Sequence, residues 1–204
     1  PTAFFQTNTR QAERLYKEVG EMVEAAINGG RAQGPPLREG VGGQVTVLDV
    51  CAGTGGIGLT MAKRHPEWRG LGIEISPEAV RDANANAAEN GLKNCEFIAG
   101  DAGAVLREMA RRGGPSGPPR ADLKVGPYEL VVTLDPPRGG LAKATLLSVI
   151  RLFPRTLIYI ACNPTHLAAD GQIIRQAGYL CEKIQPVDMF PHTPHVEVVA
   201  AFTR

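Results

Sequence analysis

At 204 residues with 43% hydrophobic content, the chain is long enough to bury one substantial core, and a single domain spanning 1–204 is expected. No run of 18 uncharged apolar residues occurs, which excludes a membrane-spanning helix of ordinary length. Twenty-two Lys and Arg against 21 Asp and Glu leave a net charge of +1, so the chain as a whole has little long-range grip on a polyanion. Cys51, Cys95, Cys162 and Cys181 form no Cys-x-x-Cys pair, which argues against a disulfide framework or a zinc cluster. With no signal-peptide pattern in the first residues, a reducing intracellular compartment, cytoplasmic or nuclear, is expected.

Ala12, Leu15, Tyr16, Val19, Met22, Val23 and Ala26 recur on one helical face and predict a helix over 9–27, capped by Asn8 or Thr9. The Gly/Pro-rich stretch 28–43 reads as a linker, and a core over 44–204 opens with a buried strand at 45–50. A glycine loop and a helix to about Arg64 follow, then a strand at 71–74. Ser76, Pro77 and Glu78 supply the cap, the first-position proline and the first-turn acid of the next helix, which ends near Gly91. Strand 95–99, helix 104–112, strand 130–134, helix 143–151, strand 157–161 and helix 165–177 continue the series. Arg107, Arg111, Arg112, Arg120 and Lys124 surround the Gly/Pro-rich segment 113–119, either as a solvated loop or as a phosphate contact. This alternation requires an α/β fold with a mostly parallel sheet and helices on both faces. The last two runs, 180–187 and 196–202, have no helix between them and should pair as an antiparallel hairpin.

Gly53-Thr54-Gly55-Gly56-Ile57-Gly58 satisfies G-x-G-x-x-G between a strand and a helix, and Glu74 lies about 20 residues on, where an acid can bind ribose hydroxyls. This geometry serves a nicotinamide dinucleotide or S-adenosylmethionine equally. Asp135-Pro136-Pro137-Arg138 after the fourth strand favours the methyl donor, and Asp101 after the third strand suits the adenine end. In the alternative, Glu74 and Asp101 merely cap strand ends. Cys162 ends the fifth strand, either as a nucleophile or as a structural thiol. A thiol, a carboxylate at Glu197 and an adenosine-binding loop together suit a carbon that needs covalent activation before alkylation, such as C5 of a uracil ring. Arg138 could stabilise a thiolate or an enolate, or could pair with Asp135. A strand-to-helix turn would aim backbone N–H groups at Cys162 and help ionise it.

Five blocks carry a resemblance. In chain order they are Phe4-Phe5-Gln6-Thr7-Asn8, Asp49-Val50-Cys51-Ala52-Gly53-Thr54-Gly55, Leu134-Asp135-Pro136-Pro137-Arg138-Gly139-Gly140, Ala161-Cys162-Asn163-Pro164, and Asp188 to Glu197. They resemble the signature blocks of the RNA 5-methyluridine methyltransferases over almost the whole chain. The resemblance implies the Rossmann-like, seven-stranded S-adenosylmethionine-dependent methyltransferase fold, with the last strand inserted antiparallel into the sheet. It also implies Cys162 as nucleophile, Glu197 as base, and Gln6, Cys51 and Gly56 in the donor pocket. Members often carry Asn at the position of Gly56. The Pro191-His192-Thr193-Pro194-His195 run is similar to eukaryotic tRNA enzymes, so tRNA is expected over ribosomal RNA. Members commonly carry an OB-like N-terminal domain and an inserted central domain. A chain that begins at Pro1 inside a family block is expected to be the catalytic part of a longer protein.

Two other readings remain. An amino-methyltransferase typically has an aromatic residue after Asp-Pro-Pro, where Arg138 stands, and would leave Cys162 idle. A non-catalytic RNA-binding module would keep only the fold. His192, His195 and Glu197 lack the His-Glu-x-x-His spacing of a zinc site, so no metal is expected. Phe4, Phe5 and Phe190 can stack on an extruded base or pack in the core.

Overall fold

The computed structural model describes residues 8–28, 45–111, 129–193 and 195–204. The linker expected over 28–43 and the basic segment around 113–119 lie largely outside them. The elements are α1 (Thr9–Asn28), β1 (Val45–Val50), α2 (Gly56–Arg64), β2 (Arg69–Glu74), α3 (Pro77–Glu89), β3 (Cys95–Ala99) and α4 (Ala102–Arg111), followed by β4 (Glu129–Leu134), α5 (Lys143–Arg151), β5 (Thr156–Ala161), α6 (Pro164–Gln176), β6 (Leu180–Val187) and β7 (Glu197–Thr203).

The seven strands form one sheet in the order β3-β2-β1-β4-β5-β7-β6. β1 pairs in parallel with both β2 and β4, and β4 with β5, whereas β7 runs antiparallel between β5 and β6. Strict two-residue alternation divides the inner strands between two cores. Leu48 and Val50, Leu130 and Val132, Leu157 and Tyr159, and Val198 and Ala200 face one side, with Leu106 of α4, Leu146 of α5 and Ile174 of α6. Val47, Val131, Ile158, Ile160 and Val199 face the other, with Leu15 and Val19 of α1 and Ile57 and Met61 of α2. Each large aliphatic side chain removed from water in this way stabilises the fold by about 1.5–3 kcal/mol.

Local signals set the boundaries. Ser76 Oγ accepts the Ala79 N–H at 3.2 Å. Asn8, and not Thr9, caps α1 by accepting the Gln11 N–H at 3.2 Å, and its amide donates to the Met189 carbonyl, tying the start of α1 to the loop before β7. Helix α4 begins at Ala102, two residues ahead of the expected start, because the Asp101 carboxylate caps it by accepting the Ala104 N–H at 2.8 Å. β2 begins at Arg69 and not at Leu71, since its parallel register with β1 already pairs Thr46 with Arg69.

One buried polar contact crosses these layers. Asp49, 1% exposed on β1, accepts the Thr133 hydroxyl of β4 at 2.7 Å and the Gly58 N–H of α2 at 3.1 Å. Replacing the hydroxyl by a methyl group leaves a buried carboxylate oxygen without that donor. Thr133→Val is therefore expected to cost about 1–3 kcal/mol, measured by urea unfolding. A loss within the scatter of surface substitutions would show that the contact does not hold the layers together.

Candidate active site

The C-terminal ends of β1, β2, β4 and β5 and the first residue of β7 open onto one cavity of about 1170 Å³. Ligands of open α/β sheets bind at this edge. Cys51, Gly53, Gly56, Glu74, Asp101, Asp135, Arg138, Cys162 and Glu197 all line it, although they come from segments far apart in sequence. Gln6, Phe4 and Phe5 lie outside the described residues.

The loop after β1 is bent through left-handed backbone at Gly53 and Gly55 and also at Cys51, whose φ is 64°. Gly55 has φ +89° and its Cβ would stand 2.9 Å from the Phe97 ring, so both conformation and space demand glycine there. Glu74 shapes the loop by accepting the Gly53 N–H at 3.0 Å and the Ser76 N–H at 2.9 Å. A carboxylate has about four acceptor sites, so capacity remains for a ligand's hydroxyls. The capping and binding alternatives for Glu74 and Asp101 are therefore compatible, because each acid holds backbone and also lines the cavity. Ile75, 71% exposed beside Glu74, offers an apolar face.

At the opposite end, Cys162 follows β5 and precedes Asn163, which caps α6 by accepting the Thr165 N–H at 3.1 Å. The antiparallel register pairs Ala161 with Val198, and its continuation by one residue sets Cys162 across from Glu197. Cross-strand neighbours of this kind have side chains within reach of each other. Glu197 is 6% exposed and lies on an interior strand, so it is not a solvated edge carboxylate. Arg138 does not turn to Asp135. Its guanidinium donates to His195 Nδ1 at 2.9 Å, which makes that ring nitrogen the acceptor, since a guanidinium has no lone pair to offer. Phe190, partly buried on the cavity wall, meets the His195 ring edge-on with centroids 6.5 Å apart.

Burial dominates the electrostatics. It pushes the Asp135 carboxyl from 3.8 to about 8, with Glu197 and Asp49 adding to the effect. It also raises Glu197, against the opposing pull of Arg138. The expected help for the Cys162 thiol is outweighed: burial and then Glu197 raise its pKa, Arg138 opposes them, and Asp135 adds a further rise. Cys51 is pushed up to about 12, chiefly by burial, and stays a neutral thiol. Among the described residues no group of three His, Cys, Asp or Glu could hold a metal ion.

Tyr16 and Ile75 line the cavity without having been singled out by sequence for a site. Tyr16 lies on the apolar stripe of α1, where a ring reads as core. An apolar residue next to the acid of β2 was the available signal for Ile75.

Two measurements probe this arrangement. Iodoacetamide alkylation of Cys162, followed by peptide mass spectrometry across pH, should show a midpoint above the ordinary thiol value of about 8.5. Glu197→Gln should lower that midpoint and Arg138→Ala should raise it; no movement in either variant would separate these charges from the thiol. Second, a carboxyl whose folded pKa is raised contributes stability that is fully present below its unfolded value and is lost as pH rises through the folded one. For Asp49 that loss ends near pH 6, and for Asp135 near pH 8. Thermal stability should therefore fall as pH rises from about 4 to 8, and Asp135→Asn should flatten the part above about 6. An unchanged slope in that variant would mean that Asp135 titrates normally.

Residues 42–113 match the family described as "Methyltransferase domain". The chain is 37% identical over 204 residues to a protein of Clostridium tetani described as an uncharacterised RNA methyltransferase, covering 100% of this chain and 37% of that protein. A protein of Chlorobaculum tepidum with the same description is 38% identical over 202 residues, covering 99% and 36%. The chain thus spans a little over a third of the length of these relatives. Among solved structures, the tRNA (uracil-54, C5)-methyltransferase of Pyrococcus abyssi in complex with S-adenosyl-L-homocysteine superposes with a TM-score of 0.70 at 29% identity, covering 100% of this chain and 41% of that one. Magnesium protoporphyrin IX methyltransferase of Synechocystis with bound S-adenosyl-L-homocysteine shares the fold alone, with a TM-score of 0.62 at 16% identity over 100% of this chain and 89% of that one. The strand order, the cavity at the strand ends and these likenesses show the seven-stranded fold of S-adenosylmethionine-dependent methyltransferases.

Proposed function

We propose that this chain is the catalytic domain of an RNA 5-methyluridine methyltransferase, which methylates C5 of a uridine in RNA, with tRNA favoured over ribosomal RNA. The observation that carries the reading is that Cys162 lies one residue beyond the last β5–β7 pair, close enough to buried Glu197 to feel its charge, in the same cavity as the glycine loop and Glu74. The likeness to the Pyrococcus abyssi enzyme supports the choice of uracil and of tRNA. An amino-methyltransferase would have no use for this thiol and carboxylate pair.

The cofactor is S-adenosylmethionine, which supplies a methyl group bonded to positively charged sulfur. The residues fit it: Glu74 has acceptor capacity beside the Gly53 amide, Ile75 presents an apolar face and Asp101 lies at the same end. Cys162, as thiolate, adds to C6 of the uracil ring, and C5 becomes an enolate carbon able to take the methyl group. Arg138 opposes the fields of Glu197 and Asp135 at the thiol and favours its anionic form. Glu197 then accepts the proton from C5, and the C6–S bond breaks to return the thiolate. A carboxylate with a raised pKa is a stronger base than an exposed glutamate, which suits this step. With a net charge of +1, the domain leaves recruitment of RNA to further segments of the longer protein.

The two roles separate by where the reaction stops. With full-length protein and unmodified tRNA, Cys162→Ala should give neither methylated product nor a denaturation-resistant RNA adduct. Glu197→Gln should slow turnover by about 10²–10⁴-fold, the scale of a lost general base, while a methylated adduct accumulates on a denaturing gel. RNA containing 5-fluorouridine should trap the unsubstituted enzyme, since fluorine cannot leave C5 as a proton. An adduct formed by Cys162→Ala would remove the thiol from its role, and normal turnover by Glu197→Gln would require another base.

A further inference from the structure

Helix α1 covers the face of the sheet on which the reacting residues lie. Asp49 points to that face, as its bonds to Thr133 and to Gly58 of α2 show, and Asp135, Cys162 and Glu197 follow the same two-residue parity beyond Thr133, Ile160 and Val199. Tyr16 lies on the cavity side of α1, together with Thr9, Ala12 and Glu13. Its ring leans on the first residue of α2: a Cβ at Gly56 would stand 2.5 Å from Tyr16 Oη and 2.7 Å from Cζ. Any side chain at 56 would displace the phenol. The Tyr16 hydroxyl has no hydrogen-bond partner among the described residues, yet it lies close enough to Asp135 and Asp49 to feel both carboxylates. Burial, with those two acids adding, raises its pKa, so the phenol keeps its proton and remains a donor.

Position along the sheet says which part of a ligand it meets. Glu74, Ile75 and Asp101 stand at the ends of β2 and β3, while Cys162 and Glu197 stand at the ends of β5 and β7. Tyr16 stands between them, over Gly56 after β1 and near Asp135 after β4. An adenosyl sulfonium with its adenosine at the first group and its methyl toward the second has its amino-acid arm branching from sulfur in the middle. That arm carries a carboxylate, which needs O–H or N–H donors, and the Tyr16 hydroxyl is one without a partner among the described residues in the middle of the cavity.

We propose that Tyr16 is a methyl-donor-binding residue, whose hydroxyl donates a hydrogen bond to the carboxylate of the donor's amino-acid arm, with Gly56 keeping open the space it occupies. The assignment rests on the donor-binding reading above. Calorimetry on the full-length protein with two ligands separates the parts of the donor: S-adenosylhomocysteine has the amino-acid arm, and 5′-methylthioadenosine has the adenosine and sulfur without it. Tyr16→Phe keeps the ring against Gly56 and should weaken S-adenosylhomocysteine binding about tenfold or more, while 5′-methylthioadenosine binds as before. Gly56→Ala, which pushes the ring aside, should show the same selective loss, and circular dichroism should show both variants folded. Unchanged S-adenosylhomocysteine affinity in Tyr16→Phe overturns the proposal. An equal loss for both ligands also overturns it, because the ring would then act by packing. Failure of the unsubstituted protein to bind either ligand would overturn the donor-binding reading itself, and this one with it.

Discussion

A single carboxylate, buried where ionisation is costly, sets the geometry of everything around the cavity. Asp49 sits in the middle of the sheet with Thr133 opposite it in register and the Gly58 amide above it. Those two bonds fix β1 against β4 and seat the first turn of α2 on both. The neighbouring register then places Val50 beside Leu134, with the Asp135 amide donating to the Val50 carbonyl at 3.2 Å. Cys51 and Asp135, 84 residues apart by number, thus leave adjacent strand ends at the same height. Because burial pushes Asp49 up to about 6, the anchor carries a cost that the fold bears near neutral pH.

The same economy of charge runs through the cavity wall. Among the described residues, Glu13, Glu74, Asp101, Asp135 and Glu197 line it, with Arg138 as the lining Lys or Arg. Even with burial holding Asp135 largely protonated near neutral pH, the acids among the described residues outnumber the guanidinium, so the site attracts a cation, and the attraction weakens once the ligand becomes neutral. Arg138, held by its bond to His195, opposes the burial and the carboxylates that raise the Cys162 thiol without outweighing them. The thiol's resting pKa is thus a balance that moves with whatever enters beside it.

Much of the frame was legible because the inner strands follow a strict rule. Runs such as Val45 to Val50 and Thr156 to Ala161 carry apolar residues on both faces and are buried throughout, as strands covered by helices on both sides must be. The absence of a helix between 187 and 197 exposed the antiparallel ending, and Ser76-Pro77-Glu78 marked its helix to the residue. The cavity was legible only as a set of separate motifs. Nothing local says that Arg138 will meet His195, 57 positions on, in preference to Asp135. Nor does a strand-to-helix turn reveal that burial and Glu197 outweigh its help to Cys162, since a pKa is settled by neighbours from every strand. Tyr16 was hidden for a related reason. Its place in an apolar stripe says that it faces inward, and only the missing side chain at Gly56 shows that inward here means into a cavity.

The insertion of β7 also orders events during synthesis. β7 follows every other strand in the chain yet lies inside the sheet, so β6 has no partner until β7 has been made. Until then the parallel strands β3-β2-β1-β4-β5 can assemble alone, leaving the outer rim of β5 unpaired and open to unwanted strands. The residue that leads β7 into that rim is Glu197. A nascent chain therefore carries the thiol before it carries the carboxylate opposite, and the closure that protects the sheet from aggregation also completes the pair.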